Sequence, residues 1–405
     1  MRQTKTKKVF VGLSGGVDSS VSAALLKNAG YDVTGVFIRV WNPASKQGLT
    51  LNREEGQSLF GLCEAADDRL DAMRICAKLA IPFVELDLEK EYKKEVVDYM
   101  IRDYSVGKTP NPDVMCNRYI KFGGFYKWAM RKGADFVATG HYARVLPSAR
   151  SPLSFPRRRE SRLDSRLRGN DSLVLCTGTD SNKDQSYFLW QIKKEQLPHI
   201  LFPVGGMEKP EVRKLAKKFG LITADKKDSQ GLCFIGKVDM KEFLQHYIMP
   251  KKGKVLNEAG KTIGEHDGAF FYTLGQRMAI NLSPSLEGEI ERGCENTPLY
   301  VTSKDIEKNT LIVSQKSPKG ILAGSVTEIK IKNCNWLVKP RKGKTYQART
   351  RYRQPLQSCH VLSSPPFQGG DRGVVVVFDK PQTVAPGQSL VLYDGDMLIG
   401  GGIIA

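Results

Sequence analysis

The feature that most constrains the fold of this chain is a glycine-rich turn near its beginning, Gly12-Leu13-Ser14-Gly15-Gly16-Val17-Asp18-Ser19-Ser20. The apolar run just before it, residues 8–11, is typical of a strand buried on both faces of a parallel sheet. The apolar residues after it share one face of a predicted helix that ends near Gly30: Val17, Val21, Ala24 and Leu25. The turn therefore predicts a strand, a tight loop and a helix in direct succession.

The same turn has the composition of a phosphate site. Gly15 and Gly16 let the backbone approach a ligand closely, and the helix start and the hydroxyls of Ser14, Ser19 and Ser20 supply hydrogen-bond donors. An ordinary strand-to-helix turn is the alternative. However, the whole string Ser-Gly-Gly-Val-Asp-Ser-Ser resembles the PP-loop of the ATP pyrophosphatases, which adenylate an oxygen of their substrate and release pyrophosphate. In that setting Asp18 is the candidate ligand of a Mg²⁺ ion held against the departing pyrophosphate.

Length and charge limit the classes of protein to consider. A chain of 405 residues is too long for a single core and predicts two or three domains. Its net charge of +19 favours a polyanionic partner such as RNA or DNA, with a merely basic protein as the alternative. No apolar run is long enough to span a membrane and no apolar leader follows the first residues, so we expect a cytoplasmic protein without membrane contact.

The order of predicted elements indicates an α/β protein with three parts. Strands alternating with helices over residues 1–225 predict a doubly wound parallel sheet, interrupted by an arginine-rich insertion at residues 147–171. A small central domain is expected at residues 226–298 and a C-terminal β-barrel at residues 299–405, with a second insertion at residues 363–373. An RNA-binding arm is the alternative interpretation of the first insertion.

Two of the eight cysteines stand apart from the rest. Cys116 and Cys233 are each predicted to lie in a loop, the first because Pro110 and Pro112 argue against a regular element there, and Asp113 stands three residues before Cys116. A positively charged loop would favour the reactive thiolate. We expect the others to be small buried apolar side chains: Cys63, Cys76, Cys176, Cys294, Cys334 and Cys359.

Eight motifs in register resemble those of the tRNA-specific 2-thiouridylases. In chain order they are Gly-Leu-Ser-Gly-Gly-Val-Asp-Ser-Ser, Asn-Pro-Asp-Val-Met-Cys-Asn, Ala-Thr-Gly-His-Tyr-Ala, Asp-Ser-Asn-Lys-Asp-Gln-Ser-Tyr-Phe-Leu, Lys-Asp-Ser-Gln-Gly-Leu-Cys-Phe-Ile-Gly, Gly-Glu-His-Asp-Gly, Tyr-Thr-Leu-Gly-Gln-Arg and Arg-Tyr-Arg-Gln. The resemblance covers nearly the whole chain outside the two predicted insertions. It implies an enzyme that uses ATP and a sulfur donor to replace the C2 oxygen of uridine 34 in tRNA with sulfur.

The resemblance also implies which residues form the sites. Those expected to bind ATP are Gly12, Leu13, Ser14, Gly15, Gly16, Val17, Asp18, Ser19, Ile38 and Gly140. Those expected to receive the flipped target base are Asn111, Pro112 and Asp113. Those expected to touch the rest of the tRNA are His141, Lys183, Asp184, Gln185, Arg351, Tyr352 and Gln388.

The sulfur chemistry implied by the resemblance uses both singled-out cysteines. Cys233 would carry the sulfur as a persulfide and Cys116 would be the second nucleophile, the two ending as a transient disulfide. Asp113 is the candidate general acid or base, with a purely orienting role as the alternative. The expected partners are tRNAs for lysine, glutamate and glutamine and a cysteine desulfurase or sulfur-relay protein, and we expect a monomer.

Two other functions are consistent with parts of the sequence. One is a PP-loop enzyme with another substrate, such as an amidating or lysidine-forming enzyme, against which the paired cysteines argue. The other is an RNA-binding protein with a vestigial nucleotide loop, against which the intact Ser14, Gly15, Gly16 and Asp18 argue.

Overall fold

The computed structural model describes residues 6–40, 62–148, 173–228, 240–278, 298–315, 323–362 and 373–405, and the side chains of residues 62–65 are not among them. Cys233, Cys294 and nearly all of the two predicted insertions lie outside the described residues.

Eighteen strands lie within this part of the chain and form three sheets. In chain order they are β1 Lys8–Leu13, β2 Asp32–Arg39, β3 Phe83–Asp87, β4 Phe136–Ala138, β5 Ala143–Pro147, β6 Leu173–Thr177, β7 Ile200–Leu201, β8 Gly253–Leu256, β9 Thr262–His266, β10 Arg277–Met278, β11 Leu299–Asp305, β12 Thr310–Ser314, β13 Val326–Trp336, β14 Thr345–Arg349, β15 Gln357–Leu362, β16 Val374–Gln382, β17 Ser389–Asp394 and β18 Met397–Ile404.

The helices are fewer and most belong to the first half of the chain. Apart from the 3₁₀ turns Ser186–Phe188, Lys194–His199 and Ala269–Phe271, the described ones are α1 Val17–Asn28, α2 Leu62–Lys78, a helical segment over residues 89–105, a second over residues 112–131, the basic helix Lys209–Lys218 and the short helix Met240–Gln245. Each of the two helical segments contains a π-helical part, Lys93–Val97 in the first and Cys116–Phe125 in the second.

The first sheet is parallel, with the strand order β3-β2-β1-β4-β7. Its central strand β1 is buried on both faces: Val9 and Val11 join a cluster with side chains of α1 and α2, whereas Phe10 joins a cluster with the two helical segments on the opposite face. This confirms the predicted doubly wound sheet. The order reverses between β1 and β4, which is where ligands bind in such sheets.

The second sheet has the order β10-β11-β12-β8-β9. Its small core is formed by Val255, Leu311 and Val313, among others. Strands β11 and β12, which we expected to belong to the terminal barrel, pair instead with this sheet. The predicted boundary at residue 299 therefore falls inside it.

The third sheet closes on itself. The order β13-β16-β15-β14-β17-β18, together with the pairing of β13 with β18, gives a six-stranded antiparallel barrel, as predicted. The hairpin of β5 and β6, which belongs to the first half of the chain, extends this sheet at β18 through the pair Cys176 and Met397. The first domain and the barrel therefore share a continuous sheet.

None of the helices in the described ranges is long and apolar enough to cross a membrane.

We expect two adjacent glycines to differ sharply in their tolerance of alanine. A Cβ atom on Gly205 would lie 1.7 Å from the carbonyl oxygen of Ala143 at the start of β5, whereas one on Gly206 would meet nothing within 4 Å. Gly205→Ala should therefore lower the free energy of unfolding by about 2 kcal/mol or more, as overpacking does. Gly206→Ala is the matched control and should unfold at the wild-type temperature in calorimetry; equal stability of the two variants would contradict this packing.

Candidate functional site

The glycine-rich turn joins β1 to α1 at the strand-order reversal. Gly15 has φ +70°, and a Cβ atom there would lie 2.4 Å from the backbone oxygen of Asp68, so that position requires glycine. Ser19 Oγ accepts a hydrogen bond from Ser14 N at 3.2 Å and donates one to Gly16 O at 3.1 Å, which closes the turn. Gly16 is the N-cap of α1 and has no side chain with which to cap it. The first N–H groups of the helix are thus available to an anion.

The neighbouring strands bring the other predicted nucleotide residues to the same edge of the sheet. Gly140 follows β4 so closely against α1 that a Cβ atom there would lie 2.6 Å from Ser19 N. Ile38 is buried near the end of β2, which is the strand paired with β1 on its other side. All ten positions expected to bind ATP therefore lie at the carboxyl ends of three neighbouring strands.

Asp18, in the first turn of α1, is held by the basic helix. Lys209 Nζ donates to both carboxylate oxygens of Asp18, at 2.7 and 2.8 Å, and Tyr142 OH donates to Oδ1 at 2.8 Å. The Lys209 side chain is only 10% exposed and also lies 3.0 Å from Asp228 Oδ1. One buried ammonium group thus bridges two carboxylates.

Asp228 is the second anion of this cluster. Lys183 Nζ lies 2.5 Å from Oδ2, and Arg213 Nη2 lies 2.7 Å from Oδ1. Burial by itself raises the pKa of Asp228, but the hydrogen bonds from Lys183 and Lys209 outweigh it and lower that pKa to about 2. The carboxylate is therefore ionised at neutral pH, and it stands five residues before Cys233 in the chain.

The residues around Asp18 fit a metal ion only in part. Among the described residues no group of three or more acidic, histidine or cysteine side chains is arranged to hold one. Asp18 is 29% exposed and lies at a helix start suited to phosphate. A Mg²⁺ ion bound there would take most of its oxygen ligands from phosphate and water, which is how Mg²⁺ is commonly held in nucleotide sites.

Cys116 lies in a helix, and our prediction of a loop there was wrong. Asn111 caps this helix, because its side-chain oxygen accepts from Val114 N at 3.3 Å. Pro112 occupies the first turn, where its missing N–H costs nothing and its fixed φ favours the helix. Asp113 is partly exposed, whereas Cys116 is 1% exposed and belongs to the same buried apolar cluster as Ile38.

His141 lies beside this helix as a neutral side chain. It is 7% exposed, and burial, followed by the nearby charge of Lys121, holds its pKa well below the usual range. Lys121 Nζ lies 3.2 Å from Nε2 and Thr139 Oγ1 lies 2.7 Å from Nδ1. Because an ammonium group only donates, Nε2 is the acceptor and Nδ1–H donates to Thr139.

Two of the predicted RNA-contact residues join different parts of the chain. Gln388 Nε2, on the barrel, donates to Thr109 O at 3.2 Å, two residues before Asn111. Arg351 Nη2 donates to Leu274 O of the central part. The segment that follows Lys183 forms a 3₁₀ turn over Ser186–Phe188.

The other predicted RNA-contact residues differ in exposure. Tyr352 is partly exposed and packs with its ring centroid 4.6 Å from that of Phe188. Asp184 is 5% exposed and forms an ion pair with Arg349, so its side chain faces the protein interior. Gln185 Oε1 accepts from Tyr142 N at 3.0 Å.

Family models match the chain in three successive segments. They are described as the tRNA methyl transferase HUP domain over residues 7–237, the tRNA methyl transferase PRC-barrel domain over residues 241–315 and the aminomethyltransferase β-barrel domain over residues 326–404.

Curated relatives match the chain end to end. The tRNA-specific 2-thiouridylase MnmA of Streptococcus mutans is 39% identical over 406 residues, which cover 100% of this chain and 96% of that protein. The proteins of the same name from Halalkalibacterium halodurans and Hydrogenovibrio crunogenus are 39% and 40% identical, over 100% and 98% of this chain and 96% and 93% of theirs. The chain belongs to the tRNA-specific 2-thiouridylase family. The resemblance drawn from the motifs is confirmed, as is the succession of a parallel-sheet domain, a central domain and a C-terminal β-barrel.

Three further residues belong to the site and were not predicted from the sequence. Lys209 and Tyr142 surround Asp18, and Asp228 joins them to Lys183. Asp228 stands in the quoted motif that contains Cys233, which was the available signal. Lys209 precedes Pro210 at a helix start and was assigned no role, because a lysine there is ordinarily exposed.

Lys209→Met should weaken ATP binding by about tenfold or more. Without the ammonium group, the charge of Asp18 is no longer neutralised and repels the phosphates of ATP. Lys217→Met is the matched control, because Lys217 is on the same helix but is 64% exposed and pairs with the exposed Asp225. Isothermal titration calorimetry should find Lys217→Met equal to wild type; unchanged affinity in Lys209→Met would refute the role given to this cluster.

Asp228→Asn should lose stability in a pH-dependent manner. The pKa of Asp228 is lowered from 3.8 to about 2, so its ion pairs stabilise the fold above pH 3.8 and the contribution disappears as the pH falls towards 2. The variant should unfold more easily than wild type at pH 7, by roughly 1–2 kcal/mol for a partly screened group, and the difference should shrink with acidification.

Asp225→Asn is the control for this titration. Asp225 is 84% exposed and pairs with Lys217, which is itself exposed, so its replacement should leave the thermal unfolding profile unchanged. A stability difference between Asp228→Asn and wild type that stays constant from pH 7 to pH 2 would count against the ion-pair cluster.

Proposed function

We propose that this chain replaces the C2 oxygen of uridine 34 in tRNA with sulfur, at the expense of ATP. The observation that carries the proposal is the 38–40% identity with 2-thiouridylases along almost the whole chain, which includes both the glycine-rich turn and the segment around Cys116. Cys116 lies in the same apolar cluster as Ile38, which is expected to contact ATP. This placement supports the proposal, because the reaction brings ATP and a thiol to the same uridine.

The first step is the activation of a poor leaving group. The C2 oxygen of uridine attacks the α-phosphorus of ATP, forming an O–P bond and expelling pyrophosphate. Residues 12–19 hold the phosphates through backbone N–H groups and the helix start. Ile38 and Gly140 contact the rest of the nucleotide. Mg²⁺ on Asp18 would offset the charge of the pyrophosphate. Lys209 keeps Asp18 in place and reduces its repulsion of the phosphates.

The second step transfers sulfur. The terminal sulfur of a persulfide on Cys233 attacks C2, and the thiolate of Cys116 then attacks the Sγ of Cys233. The S–S bond of the persulfide breaks, the transferred sulfur stays on C2, and AMP leaves with the former C2 oxygen. The two cysteines end as a disulfide, which a thiol reductant returns to the starting state.

The target base must leave its stack to reach this chemistry. An anticodon loop is single-stranded, so extrusion of the base is inexpensive. Asn111, Pro112 and Asp113 form the first turn of the helix that carries Cys116 and would receive the base there. Asp113 is partly exposed at this turn and is the group we assign to proton transfer or to orientation of the base.

The remaining partners belong to the same proposal. The persulfide sulfur comes from a cysteine desulfurase or a relay protein, and the substrates are the tRNAs for lysine, glutamate and glutamine. The remaining tRNA contacts are assigned to His141, Lys183, Asp184, Gln185, Arg351, Tyr352 and Gln388, with Asp184 acting through the loop that it holds. We place the enzyme in the cytoplasm as a monomer.

The direct experiment follows labelled sulfur into unmodified lysine tRNA in the presence of ATP, cysteine and a cysteine desulfurase. Wild-type protein should incorporate the label, and Cys116→Ala and Cys233→Ala should each reduce incorporation at least a hundredfold, because each removes one of two required thiols. A protein-bound persulfide should still form on Cys116→Ala and be absent from Cys233→Ala.

Cys176→Ala is the control variant. Cys176 is buried in β6, and burial raises the pKa of its thiol to about 11, so it should retain full sulfur transfer. Failure of the wild-type protein to incorporate sulfur, with ATP bound and the desulfurase active, would overturn the proposed function.

A further inference from the structure

A buried polar network joins the segment after β6 to the barrel. We call it the seam network, and its members are Asp184, Ser186, Tyr187, Arg349 and Tyr393. Each of them is at most 7% exposed. The first three belong to the parallel-sheet half of the chain, and the last two to strands β14 and β17 of the barrel.

The centre of this network is the Asp184 carboxylate, which accepts several hydrogen bonds. Asp184 accepts from Arg349 Nη2, from Ser186 N at 3.0 Å and from Gly178 N at 3.1 Å. Arg349 also donates to Tyr393 OH, at 3.0 Å from Nη2 and 3.3 Å from Nε, and Ser186 Oγ lies 3.1 Å from the same hydroxyl. Losing one partner of such a buried pair is costly, because the other is left without water or a counter-charge.

Tyr187 forms the second part of the network. Its hydroxyl lies 2.9 Å from Ser389 O and 3.1 Å from Thr350 O, so one buried proton is shared between two barrel segments. Trp190 Nε1 donates to Ser389 Oγ at 3.1 Å beside it. Removing the Tyr187 hydroxyl would leave these two buried carbonyl groups without that donor.

The seam network holds three stretches of chain that carry proposed RNA-contact residues. Asp184 belongs to the first, and Thr350 and Ser389, whose carbonyl oxygens contact Tyr187, belong to the other two. Lys183 and Gln185 flank Asp184, and Arg351 and Tyr352 directly follow Thr350. Gln388 directly precedes Ser389. The network thus sits behind three separate stretches of chain that the proposed function assigns to one RNA ligand.

We propose that Tyr187 and Arg349 are positioning residues for tRNA binding, since they fix the RNA-contact stretches of the parallel-sheet domain and the barrel at one separation. This inference rests on the proposed function, which supplies the RNA contacts. Neither side chain faces solvent enough to touch the RNA itself. Their effect arises because an RNA that spans two domains binds tightly only when both sets of contacts are already in register.

The test uses tyrosine-to-phenylalanine variants, which keep the ring and remove only the hydroxyl. Tyr187→Phe and Tyr393→Phe should each weaken binding of unmodified lysine tRNA at least tenfold at fixed salt, with ATP affinity within twofold of wild type. Tyr346→Phe is the matched control: Tyr346 is 4% exposed on the same strand as Arg349, and its hydroxyl accepts from Arg341 N at 2.8 Å, on the far side of β14 from the seam. It should bind both ligands as wild type does.

Arg349 is tested by its conservative replacement. Arg349→Lys keeps the charge beside Asp184 and should recover part of the tRNA affinity that Arg349→Met loses. Wild-type tRNA affinity in Tyr187→Phe, or a parallel loss of ATP affinity in that variant, would overturn the positioning role. A wild-type protein that binds unmodified lysine tRNA no better than an unrelated RNA would instead overturn the proposed function itself.

Discussion

The candidate site depends on the ion pairs that the ammonium group of Lys209 forms with two carboxylates. This group joins the first turn of α1, through Asp18, to Asp228, whose other partners are Lys183 and Arg213. A lysine with a side chain only 10% exposed is stable there because it bridges two carboxylates rather than one. The same contact reduces the negative charge that Asp18 would otherwise present to phosphate.

The site is shared by all three parts of the chain. The parallel sheet supplies the glycine-rich turn and the helix with Cys116, the barrel reaches that helix through Gln388 and Thr109, and the central part is tied to the barrel by Arg351. The net charge of +19 on the whole chain suits a polyanion that extends beyond a single domain. The candidate nucleotide site and the proposed RNA contacts are thus brought together by the packing of three parts of the chain and not by a single motif.

Local patterns predicted the parallel sheet and the barrel, and the motifs located the candidate nucleotide site. These predictions succeeded because each rests on a pattern within a short stretch of sequence: the glycine turn, the apolar period of α1 and the short strands near the C-terminus. Local patterns gave a wrong prediction where one residue type is compatible with two structures. The two prolines before Cys116 argued against a helix, yet Pro112 with Asn111 begins one. The ion pairs of Lys209 with Asp228 and of Asp184 with Arg349 were not predicted, because contacts between residues far apart in the sequence leave no local pattern.

The central claim is that ATP activates the C2 oxygen of uridine, and an isotope measurement tests it most directly. Lysine tRNA carrying oxygen-18 only at C2 of uridine 34 would be thiolated with ATP, and the released AMP analysed by mass spectrometry. Our account predicts one oxygen-18 atom in each AMP, because the C2 oxygen leaves on the α-phosphorus. Thiolated tRNA accompanied by unlabelled AMP would contradict it.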